Sequence, residues 1–277
     1  MGNRAVAAGD NCIDNYVCPV RRKFVGGNAL NVAVAMRRCD ISVSYVGAVG
    51  TDEEGHWMLE SLRAEGIDVS HVQILPGSSA VTDVELRDRD RVFLREELGV
   101  TEDFRLDRAT LEFIAEHELV HNSCLGQTVP YLRDFKNAGL VVSFDYSNMY
   151  DQELFSETLR FVDIAFVSTP GGDSNAAEEL IKKIIKKGPR VVAATMGAAG
   201  SLVSDGARLW RQDASPVDQV EDTLGAGDAF IGAFLAGWLR GRPMEETLRL
   251  ASLRAAETCR HLGAWVPQLR SGECLAE

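Results

Sequence analysis

A chain of 277 residues with 45% hydrophobic side chains has room for one large α/β domain or two small ones and can bury a full core. Its 29 Lys and Arg stand against 41 Asp and Glu, a formal net charge of −12 with no basic block set apart, which removes nucleic acid from the expected partners. No run reaches the roughly 18 apolar residues of a membrane span, and the six cysteines, at 12, 18, 39, 124, 259 and 274, show no Cys-x-x-Cys spacing, so neither a membrane partner nor a disulfide or zinc framework is expected and the cytoplasm is the default address.

The first predicted strand, Ala5-Val6-Ala7-Ala8, runs into Gly9-Asp10-Asn11-Cys12-Ile13-Asp14, which places two carboxylates, Asp10 and Asp14, at a strand's carboxyl end. Carboxylates there grip polyhydroxyl ligands, although either one alone reads equally well as a turn residue. Phe24-Val25-Gly26-Gly27-Asn28-Ala29-Leu30-Asn31 then leads into the apolar Val32-Ala33-Val34-Ala35-Met36. Gly26 and Gly27 let a ligand approach the backbone, and Asn28 and Asn31, three apart, share a helix face from which amides can meet sugar hydroxyls. Asn28 by itself would read as a helix cap. Thr51-Asp52-Glu53-Glu54 predicts a capping-box start to a helix through Glu65 that ends at Gly66. Residues 80–86 and 91–95 flank the polar turn Arg87-Asp88-Arg89-Asp90 as a hairpin, which with the segment at about 12–24 is expected to form a small flap over the sheet edge.

From about residue 107, strands and helices alternate: a strand at 119–121, a helix to about Gly139, a strand at 140–144, a helix across 151–161, a strand at 162–167, a helix from Asn175 to Lys187 closed by Gly188-Pro189, and a strand at 190–194. This alternation predicts right-handed crossovers and a parallel sheet covered on both faces, with ligands at the strands' carboxyl ends. Lys182, Lys183, Lys186 and Lys187 read as a solvated helix face. Thr195-Met196-Gly197-Ala198-Ala199-Gly200-Ser201 breaks the last of these strands with small residues, a shape that admits a nucleotide against the backbone. Ser201–Ser204, Asp205-Gly206 and Ala207–Trp210 predict a second hairpin around a two-residue turn. Of five histidines only His121 is placed to reach a cleft, and a structural role outweighs a chemical one for it.

The most informative segment is Asp222-Thr223-Leu224-Gly225-Ala226-Gly227-Asp228-Ala229-Phe230, where three small residues and a carboxylate stand at the start of an apolar helix. Backbone amides of Gly225, Ala226 and Gly227 can converge on a phosphate there. A carboxylate facing that phosphate is repelled by it, so Asp228 reads better as a base for an incoming hydroxyl than as a phosphate ligand. An NAD-dependent oxidoreductase is disfavoured, because no Gly-x-Gly-x-x-Gly follows the first strand.

The Gly-Gly-Asn segment and the Asp-Thr-x-Gly-Ala-Gly-Asp segment, in this order, resemble the two signatures of the ribokinase family, also called the PfkB carbohydrate kinases, and the resemblance runs from Gly9 to about Trp265. It implies a ribokinase-like α/β fold: a central, mostly parallel sheet flanked by helices with a small β lid, in one kinase domain over 1–277 whose lid is formed by segments about 12–24 and 79–96. It also implies ATP and Mg²⁺ as cofactors, Asp228 as base, an anion hole from Gly225, Ala226 and Gly227, and Thr195, Gly197, Gly200, Asp222 and Thr223 on the nucleotide side. Asp10, Asp14, Gly26, Gly27, Asn28 and Asn31 become sugar contacts. Within the family the chain is most similar to the fructoselysine 6-kinases, through Gly9–Asp14, Gly26–Val34, Val84–Phe93 and Leu262–Trp265, which implies phosphorylation of fructoselysine and makes Glu85 and Arg91 candidate contacts to a charged substrate. Another sugar (fructose, ribose or 2-keto-3-deoxygluconate), or a catalytically silent sensor of the same fold, is the alternative. The family's Asn-x-x-Glu is displaced: Ser168-Thr169-Pro170-Gly171 stands in its place, and Asn175-Ala176-Ala177-Glu178 lies further along, leaving Glu178 as the candidate magnesium ligand. Asp222 and carbonyls near Gly263 correspond to a monovalent-cation site, for an ion such as K⁺, that some members use. Paired lid edges suggest a homodimer.

Overall fold

In the computed structural model, residues 3–87, 90–169 and 171–268 are described; Asp88 and Arg89 of the expected turn, Pro170 and Cys274 lie outside them. The N-terminal part comprises β1 (Arg4–Ala8), β2 (Cys12–Cys18), β3 (Arg22–Gly26), α1 (Asn28–Arg38), β4 (Ser42–Val46), β5 (Ala48–Gly50), α2 (Glu53–Ala64), β6 (Gln73–Leu75), β7 (Val81–Arg87) and β8 (Asp90–Glu97). The alternating part follows as α3 (Arg108–Ile114), β9 (Leu119–Ser123), α4 (Leu132–Asn137), β10 (Val141–Asp145), α5 (Gln152–Thr158), β11 (Ile164–Ser168), α6 (Ser174–Ile185), β12 (Val191–Thr195), β13 (Ser201–Ser204), β14 (Leu209–Gln212), α7 (Ala226–Leu239) and α8 (Met244–Thr258).

Eight strands make the main sheet in the order β14-β13-β12-β11-β10-β9-β1-β4. From β12 to β4 every pairing is parallel, and β13 and β14 close one edge as an antiparallel meander. Parallel strands bury both faces, and β1 shows it directly: Ala5 and Ala7 join the core formed with α1, α2, α7 and α8, while Val6 and Ala8 join the core formed with α3 to α6. Two local expectations are corrected. The cap of α2 is Asp52, whose side chain accepts from Gly55 N, rather than a Thr51–Glu54 box. The β13–β14 connection spans the four residues 205–208, because Ser204 pairs with Leu209 and Asp205 takes the amides of Ala207 and Arg208.

A second, four-stranded sheet in the order β3-β2-β7-β8 unites the segments expected in the flap. β2 runs parallel to β7 and antiparallel to β3. Asp14 therefore sits within a strand of this small sheet rather than in the loop after β1, and Asp10 alone of the two occupies that loop. Tyr16, Phe24, Val84 and Leu224 form a separate buried cluster under the small sheet, which ties it to the segment just before α7.

Helices α1 and α7 pack closely because Gly232 has no side chain: a Cβ there would stand 2.4 Å from Ala35 Cβ and 2.9 Å from Met36 N. The partners are the Ala35 methyl, fixed on its Cα, and backbone atoms of the facing helix, none of which can swing aside. Gly232→Val is therefore expected to cost about 1–3 kcal/mol by overpacking, read as a melting temperature lowered by several degrees in a circular-dichroism thermal scan; an unchanged midpoint would show that the two helices are not in that contact.

Candidate active site

Two helix N-termini meet beside the carboxyl ends of β1, β9 and β10. The chain enters α1 through Gly27 at φ +105°, where a Cβ would stand 2.4 Å from Asn11 Cα. It enters α7 through Gly225 in the left-handed region at φ +75°, where a Cβ would be 2.3 Å from Ala264 Cβ. Both turns need glycine, and each delivers a first helical turn to the same place.

Asp228 stands in the first turn of α7, and both its oxygens are held from α1: Asn28 Nδ2 donates to Oδ1 at 2.8 Å and Asn31 Nδ2 to Oδ2 at 2.7 Å. The same Asn28 amide donates to Asp145 Oδ2 at 2.7 Å, and the backbone N–H of Asn28 donates to Asp10. Asp10 also accepts from Ser123 Oγ at 2.7 Å. Three carboxylates thus share donors from one helix turn. Burial raises the Asp228 pKa to about 7, with the charges of Asp145 and Asp10 adding to the rise and the amide of Asn31 and the guanidinium of Arg91 opposing it. Burial likewise raises Asp145 to about 6 and lifts Asp10 above the usual carboxylate range. A cavity of about 110 Å³ opens against Asn31, Gly225 and Asp228.

His121 is fully buried, and burial pushes its pKa down to about 3, so the ring is neutral. Its Nε2 faces Asn28 Oδ1 at 3.3 Å and its Nδ1 faces Ser143 Oγ at 2.9 Å. Asn28 uses its NH₂ on two carboxylates, so its Oδ1 must accept, which puts the ring proton on Nε2. His121 thus has a structural role: it orients the asparagine that holds the Asp228 carboxylate.

Buried polar atoms without a partner lie close by. Asp14 Oδ2, Asn31 Oδ1 and Asn11 Oδ1 make no hydrogen bond. Asp14 approaches Gly26, while Asn11 packs against Gly27. Burial raises Asp14 to about 7, with the charge of Asp222 adding to the rise and Arg91 opposing it. Unpartnered buried acceptors are costly unless a ligand's hydroxyls satisfy them.

Gly227 and Gly197 are exposed, with nothing within 4 Å of where a Cβ would stand, so their backbone is open to a ligand. Thr195 ends β12 just before Gly197, and Gly200 N closes the turn onto Gly197 O. This open backbone fits a nucleotide. The amide of Ala226 donates to Thr223 O at 3.3 Å, so of the three expected anion donors it is already engaged. Asp222, expected among the nucleotide contacts, has no exposed surface: it lies under the loop and accepts from Leu224 N, Gly263 N and the Tyr16 hydroxyl. Arg91 reaches Thr223 O and Oγ1, and Glu85 pairs with Arg87. Glu178 pairs with Lys182 at 2.7 Å along α6, and among the described residues no group of three or more His, Cys, Asp or Glu could hold a metal ion.

Ser123 and Asp145 were absent from the sequence reading, though each is the last residue of a parallel strand, where the carboxyl-end rule points. Tyr16, an inward residue of an ordinary-looking strand, carried no local signal at all.

The sequence matches the pfkB family carbohydrate kinases over residues 15–136 and 153–269. The chain belongs to this family. It is 37% identical over 257 residues to a fructoselysine 6-kinase of Shigella flexneri, covering 93% of this chain and 97% of that protein, and 34% identical over 272 residues to a fructosamine kinase of Bacillus subtilis, covering 95% and 93%. Its fold is similar to that of Arabidopsis thaliana ribokinase, solved with ribose and ATP, at TM-score 0.84 and 21% identity over 95% of both chains. The PfkB chain is an ATP-dependent carbohydrate kinase with a ribokinase-like fold.

Two outcomes follow from the raised Asp228. If Asp228 serves as a base it works only ionised, and kcat/KM is then expected to rise with pH through about 7 and to level above it, in a pH–rate profile. Its folded pKa lies above the ordinary carboxylate value of 3.8, so stability falls as pH rises between those two values and the full penalty stands above about 7. The melting temperature of Asp228→Asn relative to the wild type is accordingly expected to rise from pH 4 to pH 8, on top of a constant loss for the hydrogen bond that an amide cannot accept; a difference that stays flat or falls with pH would contradict the raised carboxylate.

Proposed function

We propose that the protein phosphorylates a primary hydroxyl of fructoselysine, giving fructoselysine 6-phosphate. The observation that carries the reading is Asp228: a carboxylate near neutrality, gripped by Asn28 and Asn31, beside the open amide face of Gly227. Residue by residue, Asp228 takes the proton of the attacking hydroxyl, and the first turn of α7 at Gly225 and Gly227 attracts the phosphoryl oxygens on which charge develops. Holding the acceptor oxygen against that turn turns a bimolecular encounter into a positioned one. Mg²⁺, when bound, neutralises charge on the phosphates; Glu178 is the side chain proposed for it, and would have to leave Lys182 to serve.

Asp10, Asp14, Gly26, Gly27, Asn28 and Asn31 are proposed for the sugar, with the unpartnered oxygens of Asp14 and Asn31 taking hydroxyls. A fructosamine carries a cationic secondary amine, and the clustered carboxylates suit that charge better than they suit a neutral sugar or an anionic keto acid. The chain's 34–37% identity to fructosamine and fructoselysine kinases supports the same choice. Thr195, Gly197, Gly200 and Thr223 are proposed for ATP.

The small sheet is proposed as a lid over one domain spanning the chain, its closure excluding water from the reaction. Phe93 and Leu94 are exposed on its outer strand β8, which supports a homodimer paired through the lids; a monomer by light scattering at working concentration would remove that assembly. Among the described residues no helix is long and apolar enough to cross a membrane, and a cytoplasmic address is proposed with it.

Fructoselysine, fructose, ribose and 2-keto-3-deoxygluconate, assayed side by side for ADP release with Mg²⁺ and ATP, test the substrate. The expected order puts fructoselysine first by kcat/KM, and a higher value for any of the other three would overturn the assignment. Asp228→Asn is expected to lower kcat by about a hundredfold to ten-thousandfold while substrate still binds; a near-normal rate would remove Asp228 from its role.

A further inference from the structure

The phosphoryl-transfer loop is fastened from below by a side chain of the small sheet. Asp222 is completely buried, and both its oxygens are already engaged: Oδ1 accepts from Leu224 N at 2.9 Å, and Oδ2 accepts from Gly263 N at 3.0 Å and from the Tyr16 hydroxyl. Tyr16 is 1% exposed on β2, with its ring edge-on to Phe24 at 5.4 Å and packed with Val84 and Leu224. Phe24 in turn lies directly under Gly263, where a Cβ would come 2.6 Å from its ring. Burial and the neighbouring Asp222 push the Tyr16 hydroxyl far up its scale, so it remains a donor throughout the working range. One residue along, Arg91 of β8 donates to Thr223, bringing a permanent positive charge to the same loop.

These contacts supply what a bound monovalent cation would supply at Asp222, namely a fixed geometry for the carboxylate and a positive charge close to the loop. The donor set does not fit an added ion. The carboxylate is sealed from solvent and its oxygens are directed at three hydrogen-bond donors, one of which comes from the Gly263 segment itself.

We propose that Tyr16 is a positioning residue for phosphoryl transfer: its hydroxyl holds Asp222, and through it the turn at Leu224 and Gly225, in place of a monovalent cation. The start of α7 is then set by the small sheet, and turnover needs no K⁺. This goes beyond the substrate reading and does not rest on it, because it concerns the loop that every acceptor sugar would share.

The test compares wild type with Tyr16→Phe, which keeps the ring in its cluster and removes only the hydroxyl. Melting temperature and kcat are measured at equal ionic strength in potassium, sodium and tetramethylammonium chloride, with whichever sugar turns over. Wild type is expected to give the same midpoint and the same kcat in all three salts. Tyr16→Phe is expected to lose about tenfold in kcat, as for one buried hydrogen bond to a charged group, with substrate KM changed less than twofold. A wild-type midpoint or kcat that rises several-fold or by several degrees on adding K⁺ would overturn the proposal, as would a Tyr16→Phe enzyme with wild-type kcat. The melting comparison needs no substrate, so failure of fructoselysine to react bears on the substrate assignment alone, and a cation response bears on Tyr16 alone.

Discussion

The structure depends on one meeting of helices. Asn31 of α1 and Asp228 of α7 are 197 residues apart in the chain, yet two amides of α1 grip both oxygens of the carboxylate of α7. That contact requires Gly232 to let the helix backbones close, Gly27 and Gly225 to turn the chain into each first turn, and the two-faced parallel sheet to hold both helices on one side. A carboxylate placed at a helix start is favoured by the peptide dipoles, but beside a phosphate it would repel its own ligand. The asparagines fix where the charge points, and His121 fixes the orientation of Asn28 in turn.

The site is built at a cost to stability. Asp10, Asp145 and Asp228 crowd around a single helix turn; burial raises all three above ordinary carboxylate behaviour, and the neighbouring charges add to the rise at Asp145 and Asp228. Asp14, in the small sheet, is raised as well and leaves one oxygen without a partner. Such groups are held in place by the surrounding cores, whose strands contribute residues with no exposed surface to both faces. The same crowding makes the pocket suited to a ligand that brings hydroxyl donors and a positive charge, each of which relieves part of the strain.

Much of the architecture could be read from local patterns, because strands at 119–123, 141–145, 164–168 and 191–195 carry β-branched and small runs that a doubly covered parallel sheet requires. The small sheet was legible as two segments, and Gly26-Gly27-Asn28 and Gly225–Asp228 announced themselves as helix starts. What was not legible was long-range. Asp145 meets Asn28 across 117 residues, and Tyr16 meets Asp222 across 206, with nothing in either neighbourhood to mark the partner. Asp222 was misplaced for the same reason: beside a turn of small residues at a helix start it reads as a ligand, and only the fold shows it sealed beneath the loop. Asp14 was placed in a loop because Gly9-Asp10 looks like a break, whereas the chain resumes a strand at Cys12.

If Asp228 is the base and Asn31 tunes it, the acid limb of kcat/KM must respond to the loss of that amide. The amide of Asn31 is the leading influence holding the pKa of Asp228 down, so Asn31→Ala is predicted to move the limb from about 7 to higher pH, whatever it does to the plateau. A limb that stays where the wild type has it, or moves to lower pH, would show that the titrating group governing turnover is not the carboxylate held between Asn28 and Asn31.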